Sequence, residues 1–388
     1  MRRILLWGIF ACMTVVFFTA DAMAIPAFAR KYQMSCTTCH APFPRLKPFG
    51  EEFAARGFRM EDASQEPTRA TIDTGDPMLK LIRDVPLAIR MEGYASYKEN
   101  AVADNDVEWP WAFKILSGGP ITDHISYYFY YLVERGEIVG LEDAWVQFNS
   151  IFKAPVDLQV GQFQVCDPLF KRELRLERFD YDILTVGVGT SSVNLTYDRG
   201  AIGTIHLPAK FDVLLGVVTG FGISPADEDG NFDNDGNKNV LARLVTTAGP
   251  VRLGLFTYYG NEEQNSANNE TTYIGPDVIY TMNEKFQVSG EFLYREDDNP
   301  WFEVSGGGTV KTKGGFVEVQ YLPSGEDGKY ALTFLYNKVV SDEPLSNAET
   351  VSLTFNYLLA RNFRLLLEGG RDLEAEATRV TGGLITAF

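Results

Sequence analysis

After about the first 80 residues, the chain alternates between apolar and polar residues with a period of two, in segments as long as a tilted membrane strand. In the first segment Leu87 and Ile89 alternate with small or charged residues such as Arg90. We count sixteen such segments, at residues 87–98, 107–117, 124–134, 140–150, 156–166, 192–207, 211–223, 239–248, 251–259, 271–282, 286–296, 314–322, 330–340, 348–358, 363–372 and 377–388. Only closure into a barrel removes so many apolar-faced strand edges. We therefore predict a mainly β protein, a transmembrane antiparallel β-barrel of about 16 strands over residues 81–388. The alternative is a soluble all-β protein with aromatic-rich strands.

The connections between these segments alternate in length. Short turns are predicted at 208–210, 248–250, 283–285 and 360–362, and long polar loops at 167–191, 224–238, 260–270 and 297–313. Barrels of the outer membrane have short periplasmic turns and longer external loops. With an even strand count, both ends of the barrel fall on the periplasmic side. The last strand ends on Phe388, which shares one face with Val380 and Leu384, as in an outer-membrane assembly signal.

Residues 1–24 have the pattern of a secretory signal peptide. Arg2 and Arg3 precede an apolar run, and Ala22-Met23-Ala24 forms a small-residue cleavage site. We therefore exclude this segment from the fold and expect an exported protein. The net charge of −17 and the lack of a basic cluster argue against a nucleic-acid partner.

The segment 25–80 carries the motif Cys36-Thr-Thr-Cys39-His40, which is typical of covalent c-type haem attachment. Two thiols add to the haem vinyl groups, and the next histidine is placed to bind the iron. The alternatives are a disulfide, a zinc half-site and a redox pair of cysteines. A zinc site needs more partners than a chain with three histidines readily provides. We predict one covalent haem on Cys36 and Cys39, with His40 as the proximal iron ligand.

A short helix is predicted after the motif, with Pro48 in its first turn and Gly57 at its end. Leu46, Phe49 and Phe53 fall on one face of this helix. A single helix beside a Pro-rich loop is too small for a core of its own. The segment 25–80 is therefore expected to be a small α/loop haem-binding unit that another part of the chain covers.

The second axial ligand of the haem iron is predicted with less support from the sequence. Met60 follows the short helix and has room to reach the far face of the haem, whereas Met34 is tethered too close to the motif. His124, after a predicted periplasmic turn, is the alternative, and His206 is the remaining histidine. We favour Met60 over His124, and an iron without a protein ligand on this face is a third option.

Two further features draw attention as candidate sites. Cys166 is the odd thiol left after the signal peptide and the motif, and we interpret it as a small buried side chain. The acidic run from Asp227 to Asp235 alternates oxygen ligands as Ca²⁺ loops do, but no glutamate closes it at the required position. We favour a solvated external loop over a Ca²⁺ site. Together with the other acidic loops it would concentrate cations at the external mouth.

The motif and its surroundings resemble a known family. An exported CTTCH segment, then FPRLKPFGEEF at 43–53, then a porin-like barrel ending in phenylalanine, resembles the fused monohaem cytochrome–porins of iron-oxidising bacteria. Gly161-Gln162-Phe163 is similar to a stretch of phosphate-selective porins, except that Cys166 and Asp167 here precede Pro168.

This resemblance implies a protein of the bacterial outer membrane, with its haem segment on the periplasmic side or within the barrel lumen. It implies that extracellular Fe(II), or a similar external donor, gives electrons through the haem to a periplasmic c-type cytochrome or another soluble carrier. The alternative is a cation-selective or solute porin channel in which the haem segment is a plug, a docking element or a sensor. A structural barrel that relays electrons from separate cytochromes is a third hypothesis.

Overall fold

The computed structural model describes residues 27–60, 71–76, 78–79, 81–83, 85–166 and 172–388, so the predicted signal peptide lies outside the described residues. The helices are α1 (Ala27–Tyr32), α2 (Cys36–Cys39), α3 (Pro48–Ala55) and α4 (Asp182–Thr185), with 3₁₀ turns at Ile151–Lys153, Arg172–Leu174 and Pro344–Ser346. Strands β1 (Thr71–Ile72) and β2 (Leu81–Ile82) pair with each other outside the main sheet. No helix among the described residues is long and apolar enough to cross a bilayer.

The remaining sixteen strands form one closed antiparallel barrel, as the sequence predicts. They are β3 (Leu87–Lys98), β4 (Asn105–Pro120), β5 (Ile125–Glu134), β6 (Glu137–Phe148), β7 (Val156–Gln164), β8 (Tyr197–Leu207), β9 (Phe211–Val218), β10 (Asn239–Ala248), β11 (Val251–Gln264), β12 (Ala267–Asn283), β13 (Phe286–Asp297), β14 (Val310–Tyr321), β15 (Tyr330–Ser341), β16 (Ala348–Ala360), β17 (Phe363–Asp372) and β18 (Ala377–Ala387). Each strand pairs with its sequence neighbours, and β18 pairs with β3 to close the ring. Closure leaves the barrel without an unpaired edge.

The connections divide the barrel into two unlike ends. At the short-turn end, which also holds both ends of the barrel, the turns 208–210, 249–250, 284–285 and 361–362 have two or three residues. At the long-loop end lie the connections 165–196, 219–238 and 298–309. The predicted turns and three of the four predicted long loops therefore fall at the expected ends of the molecule.

The predicted long loop at 260–270 is wrong. The ladder between β11 and β12 continues through this stretch from Gly260 opposite Thr271 to Gln264 opposite Ala267. Only Asn265 and Ser266, both with positive φ, form the turn. The polar composition of these residues reflects strands that project past the apolar band of the wall, and hydrogen bonding between the strands keeps them extended. The predicted strand at 192–207 likewise begins later, at Tyr197.

The wall is apolar outside and polar inside, the reverse of a water-soluble protein. Along β12, buried and exposed residues alternate almost without exception. Large apolar side chains such as Leu253, Ile274 and Phe292 are about half exposed on the outer surface. Polar residues of the lumen such as Asn337 and Thr354 are fully buried. This arrangement is the one expected of a wall that faces lipid.

Two parts of the chain fill the lumen. The N-terminal segment (27–60) occupies the short-turn end, and the inward loop (172–196) enters from the long-loop end. The sequence predicted an external loop at 167–191, which is wrong for its described part, because Leu176, Ile183 and Leu184 are at most 1% exposed. The charged residues of this loop pair with the wall, as Arg178 does with Glu108 at 3.1 Å, or with each other, as Arg172 does with Asp180 at 2.7 Å. A buried charge needs such partners.

Candidate functional site

The Cys-x-x-Cys-His motif forms one tight turn of helix inside the barrel. Ser35 caps this turn by accepting a hydrogen bond from the Thr37 amide at 3.3 Å, as helix N-caps do. The His40 amide donates to the Cys36 carbonyl at 2.9 Å, which closes the turn. Cys36 and Cys39 are partly buried and form no disulfide. Two thiols and an imidazole are thus presented from five consecutive residues.

Helix α3 holds this turn in place through a close backbone contact. The Lys47 amide donates to the Cys39 carbonyl at 2.8 Å, and Lys47 Nζ donates to the Thr37 carbonyl at 3.1 Å. Gly50 lies against the same turn, and a Cβ at this position would overlap the Cys39 carbonyl oxygen. A glycine is therefore needed where α3 crosses α2.

A cluster of aromatic rings gives the N-terminal segment a small core. Phe53 of α3 packs edge-on against Phe28 at 5.6 Å and Tyr32 at 5.2 Å between ring centroids. Phe58 stacks on Phe28 at 4.5 Å and lies 5.9 Å from Phe53. Since such ring pairs stabilise beyond their buried area, they hold α1 and α3 together. Of the predicted face, Phe53 is buried in this cluster, whereas Phe49 stacks on it at 6.1 Å and stays 39% exposed.

The His40 side chain is oriented by backbone carbonyls. Its Nδ1 lies 2.8 Å from the Pro44 carbonyl oxygen and 3.3 Å from that of Arg45. Burial lowers the pKa of His40 to about 4, so the imidazole is neutral at pH 7. A neutral ring that donates from Nδ1 keeps the lone pair of Nε2 for an iron ion, which is how metal-binding histidines are usually oriented.

The two thiols and the imidazole are the groups that attach a c-type haem and bind its iron. Burial, and then the charge of Cys36, raises the pKa of Cys39 to about 11, and burial also raises the pKa of Cys36. The thiols are therefore less acidic than the activated thiols of redox-active cysteine pairs. Cys36 and Cys39 would hold such a haem covalently, and His40 would bind its iron.

The N-terminal segment spans the lumen from wall to wall. On one side Arg45 forms a buried ion pair with Glu318 of β14 and donates to Gln287 of β13 at 2.7 Å. On the other side Phe58 packs against Tyr128 of β5 at 5.3 Å and Trp145 of β6 at 6.1 Å. These two walls lie nearly opposite each other in the sixteen-strand ring. The segment therefore blocks the barrel across its width.

Further contacts fix the depth of the segment in the barrel. Lys47 pairs with Glu326 in the turn between β14 and β15, and Glu51 pairs with Arg252 of β11 at 2.9 Å. Arg30 donates to the Leu87 carbonyl at the start of β3. These partners all lie near the short-turn end. The close approach of Gly57, where a Cβ would be 2.5 Å from Ser126, continues the seal on the wall.

The candidates for the second axial ligand lie near one wall. Met60 follows Phe58, so it continues the chain from the β5–β6 side of the lumen. His124 is exposed in the turn between β4 and β5, where its carbonyl accepts from the Asn149 amide at 2.8 Å. His206 has both ring nitrogens engaged, by Asp212 at 2.8 Å and Asp157 at 3.3 Å. The choice of Met60 over His124 stays a prediction.

The inward loop is a part of the site that sequence reasoning missed. Tyr181 donates to Glu318 at 2.6 Å, so the inward loop and Arg45 share one carboxylate. Arg295 of β13 donates to the Val186 carbonyl at 2.9 Å, and Thr350 donates to Asp182 at 3.1 Å. The available signal was a run of apolar residues inside a charged loop: Leu176, Ile183, Leu184, Val186 and Val188.

A cavity of about 1080 Å³ remains between the inward loop and the wall. Arg135 and Pro225 line it near the long-loop end, and Arg90 and Arg364 line it deeper in the barrel. Phe43 of the N-terminal segment lies beside this deep end, because its ring is 6.0 Å from the Arg90 guanidinium. Phe43 also contacts His40, with 5.2 Å between ring centroids. The cavity, which has space for water and small solutes, is therefore connected to His40 of the motif through Arg90 and the Phe43 ring.

The other two predicted features have structural roles. Cys166 is fully buried and its Sγ lies 3.2 Å from Gln164 Oε1, as predicted for a small packed residue. Asp227 accepts backbone hydrogen bonds from Asp229 and Asn231, so the acidic loop uses its carboxylates to hold its own turns. Among the described residues, no group of three or more His, Cys, Asp or Glu side chains is placed to hold a metal ion.

Comparison with known proteins identifies the fold. No family model and no curated protein matches the chain. The anion-selective porin from Comamonas acidovorans superposes with a TM-score of 0.57 at 12% identity, covering 79% of this chain and 99% of that chain. OmpF of Salmonella typhi, solved with daunomycin, gives 0.56 at 11% identity over 78% and 97% of the two chains. A loop-deletion mutant of OmpT from Vibrio cholerae gives 0.55 at 12% over 79% and 99%. The chain therefore shares the barrel fold of outer-membrane porins.

Proposed function

We propose that this protein is a barrel of the bacterial outer membrane that carries one covalent haem in its lumen and passes electrons between an external donor and a periplasmic carrier. The observation that carries this proposal is the Cys36–His40 turn, enclosed at the short-turn end, with His40 oriented by the Pro44 carbonyl. A porin used only for diffusion has no need of two neutral thiols and an oriented imidazole inside its lumen.

Each part of the site has a definite role in this function. Cys36 and Cys39 would hold the haem through thioether bonds, and His40 would bind its iron. When bound, the haem supplies one-electron exchange at a potential that its axial ligands and surroundings set. The N-terminal segment and the inward loop fill much of the lumen, while the wall carries the unit across the membrane without exposing unpaired backbone to lipid.

The charge distribution suits an external cationic donor. The acidic loop 227–235 lies at the long-loop end, where Glu263 of β11 is also exposed. Their field attracts cations, an effect that salt weakens. We propose extracellular Fe(II) as the donor, and a periplasmic c-type cytochrome or a similar soluble carrier as the acceptor at the short-turn end.

The test of this proposal is a haem assay followed by a reduction assay. The purified protein should retain haem on a denaturing gel and show a Soret band, and Fe(II) should reduce it within seconds. The double variant Cys36→Ser/Cys39→Ser should lose all covalent haem. Cys166→Ser is the matched control and should keep it, because Cys166 lies buried outside the motif. A colourless protein, or haem that no extracellular donor reduces, would contradict the proposal.

A second candidate function is a porin channel, in which the N-terminal segment acts as a plug, a docking element or a sensor. The shared fold and the cavity of about 1080 Å³ favour it. Conductance in planar bilayers separates the two functions. A large steady conductance in haem-loaded protein that Fe(II) does not reduce would favour the channel, whereas a nearly closed lumen in reducible protein would favour the electron conduit.

A further inference from the structure

Four arginines along the lumen cavity have unused hydrogen-bonding capacity. Arg90, Arg178, Arg364 and Arg379 line the cavity, and each has a buried Nε without a hydrogen-bond partner. Arg178 and Arg379 lie toward the long-loop end, whereas Arg90 and Arg364 lie at the deep end. An unsatisfied buried donor destabilises the folded state, so the deep pair calls for a missing partner. All four atoms are donors, and the partner they lack must therefore offer acceptors.

Arg364 is the centre of this cluster because its charge is buried and unpaired. It is 2% exposed, and its Nη1 donates to two neutral acceptors, the Leu176 carbonyl at 3.0 Å and Asn356 Oδ1 at 3.0 Å. The amide nitrogen of Asn356 is itself buried without a partner. Among the described residues, no carboxylate lies within ion-pair distance of Arg364. A buried cation in this condition is strongly destabilising unless an anion joins it.

Other buried arginines of the same barrel show how the chain normally compensates this charge. Arg243 binds Asp277 through Nε at 3.2 Å and Nη2 at 2.6 Å. Arg295 binds Asp297 through Nε at 2.6 Å and Nη2 at 2.9 Å. Both guanidinium groups therefore hold a carboxylate in a two-point contact. Arg364 has no such carboxylate, and its Nε lacks a hydrogen-bond partner.

Two of the carboxyl groups near Arg364 have other partners. Glu92 binds Arg90 at 2.6 Å and accepts from Tyr94 at 2.7 Å. Glu368 binds Arg379 at 3.1 Å and accepts from Thr354 at 2.8 Å. The third, Glu177 of the inward loop, has a buried Oε1 without a hydrogen-bond partner, and burial and the charge of Glu318 raise its pKa well above its usual range, which disfavours its anionic form as a partner for Arg364.

We propose that Arg364 and Arg90 form a binding site for the carboxylate group of a ligand in the lumen. The planar guanidinium group of Arg364 matches a carboxylate, and Asn356 holds this group by accepting from its Nη1 at 3.0 Å. The site lies next to the motif, because Arg90 contacts Phe43 at 6.0 Å and Phe43 contacts His40 at 5.2 Å.

Two sources supply this chemistry. One is a propionate of a haem attached at Cys36 and Cys39. The other is a soluble polycarboxylate, such as citrate or its iron chelate, that enters through the cavity from the long-loop end. A volume of about 1080 Å³ is many times the roughly 30 Å³ that one water occupies, so a small chelate and its waters fit.

The test is citrate binding and redox titration on haem-loaded protein at fixed ionic strength, with Arg364→Gln as the variant. A soluble ligand predicts citrate binding to the parent protein that weakens at least tenfold in Arg364→Gln. A propionate ligand predicts no citrate binding to haem-loaded protein, a shifted midpoint potential in Arg364→Gln, and citrate binding to the haem-free Cys36→Ser/Cys39→Ser barrel. Either result supports the carboxylate site.

Arg135→Gln is the matched control, since it removes one positive charge from the mouth of the same cavity. Arg364→Lys keeps the positive charge but lacks the planar guanidinium group, so it should also weaken citrate binding. It replaces Arg364→Gln in the test if that variant does not assemble. Equal citrate binding and equal potentials in all four proteins would overturn the inference. That outcome would contradict the carboxylate site without contradicting the proposed electron transfer. A protein without haem would contradict the electron transfer, but citrate binding could still be measured on it, so the two failures are distinguishable.

Discussion

The N-terminal segment and the inward loop both fill the lumen, but they are held there in different ways. The segment has a core of its own, in which Phe28, Phe53 and Phe58 pack together. The inward loop has one turn of α-helix and one 3₁₀ turn, and its buried Ile183 and Leu184 join the core formed by wall residues. The two meet at Glu318, which accepts hydrogen bonds from Arg45 and Tyr181.

The N-terminal segment therefore holds the side chains of the motif in a fixed arrangement, whereas the inward loop mainly fills the lumen. Five consecutive residues of the motif keep their arrangement because helix α3 and the aromatic cluster hold them locally. The inward loop takes its shape from the wall, so changes in wall residues should alter it first. The predictions below test this contrast, from the largest expected effect to the smallest.

Deleting either region should open the lumen, and deleting the N-terminal segment should have the larger effect. Among the described residues, 27–60 is the only segment that crosses the short-turn end, from β13 and β14 next to Arg45 to β5 and β6 next to Phe58. Its removal takes this segment out of the lumen. A sixteen-stranded barrel without such filling leaves an aqueous channel. We expect conductance in planar bilayers to rise several-fold, and to rise further when 172–196 is removed as well. An unchanged conductance after the first deletion would show that the inward loop alone closes the barrel.

Arg45→Ala should release the N-terminal segment from the wall. The change leaves Glu318 buried without its cation, which typically costs about 3–5 kcal/mol. Hydrogen exchange of the α3 amides should speed up accordingly. Arg252→Ala is the control, because its more exposed pair with Glu51 is worth about 0–1 kcal/mol.

A compensating variant sharpens this test of the wall contact. Arg45→Met/Glu318→Gln removes both charges and keeps an acceptor for the Tyr181 hydroxyl. It should recover most of the lost protection. If it exchanges as fast as Arg45→Ala, the loss comes from packing at position 45 and the buried ion pair is not its cause.

Gly50→Ala should disturb the motif inside the segment while leaving the inward loop unchanged. The new Cβ overlaps the Cys39 carbonyl oxygen, and such overpacking typically costs about 1–3 kcal/mol. We expect a smaller fraction of protein with covalent haem, measured as Soret absorbance per mole of protein. Gly187→Ala in the inward loop adds a Cβ into open space and should match the parent protein.

The docking of the inward loop should weaken as pH rises through about 6. Burial raises the pKa of Asp182 from its usual 3.8 to about 6, against the hydrogen bond from Thr350. The docked loop therefore favours the protonated carboxyl group. The stabilisation of the docked state by this protonation is fully present below about pH 4 and is lost as the pH rises above about 6. Exchange of the α4 amides, corrected for intrinsic rates, should be slower at pH 5 than at pH 7.5. Asp182→Asn should remove the difference, and a pH dependence that persists in it would assign the effect to another group.

Much of the wall was predictable because a strand in a membrane barrel has a simple local signature. The bounds of the strands at 87–98, 239–248 and 363–372 are those of the alternation in the sequence. The loop predicted at 260–270 failed because alternation of apolar residues stops where a strand leaves the apolar band, although its hydrogen bonds to the neighbouring strand continue. Polar composition alone therefore does not locate the end of a strand.

The motif, the strand pattern and the glycine and proline positions of the first helix follow from the sequence, because each depends on residues a few positions apart. The burial of the inward loop, the shared carboxylate of Glu318 and the unpaired charge of Arg364 were decided only by the tertiary structure. These features join residues far apart in the chain, such as Arg45 with Glu318 and Leu176 with Arg364. No local pattern reports whether a charged side chain meets water or a partner in a closed lumen, because that depends on which strands the ring brings together.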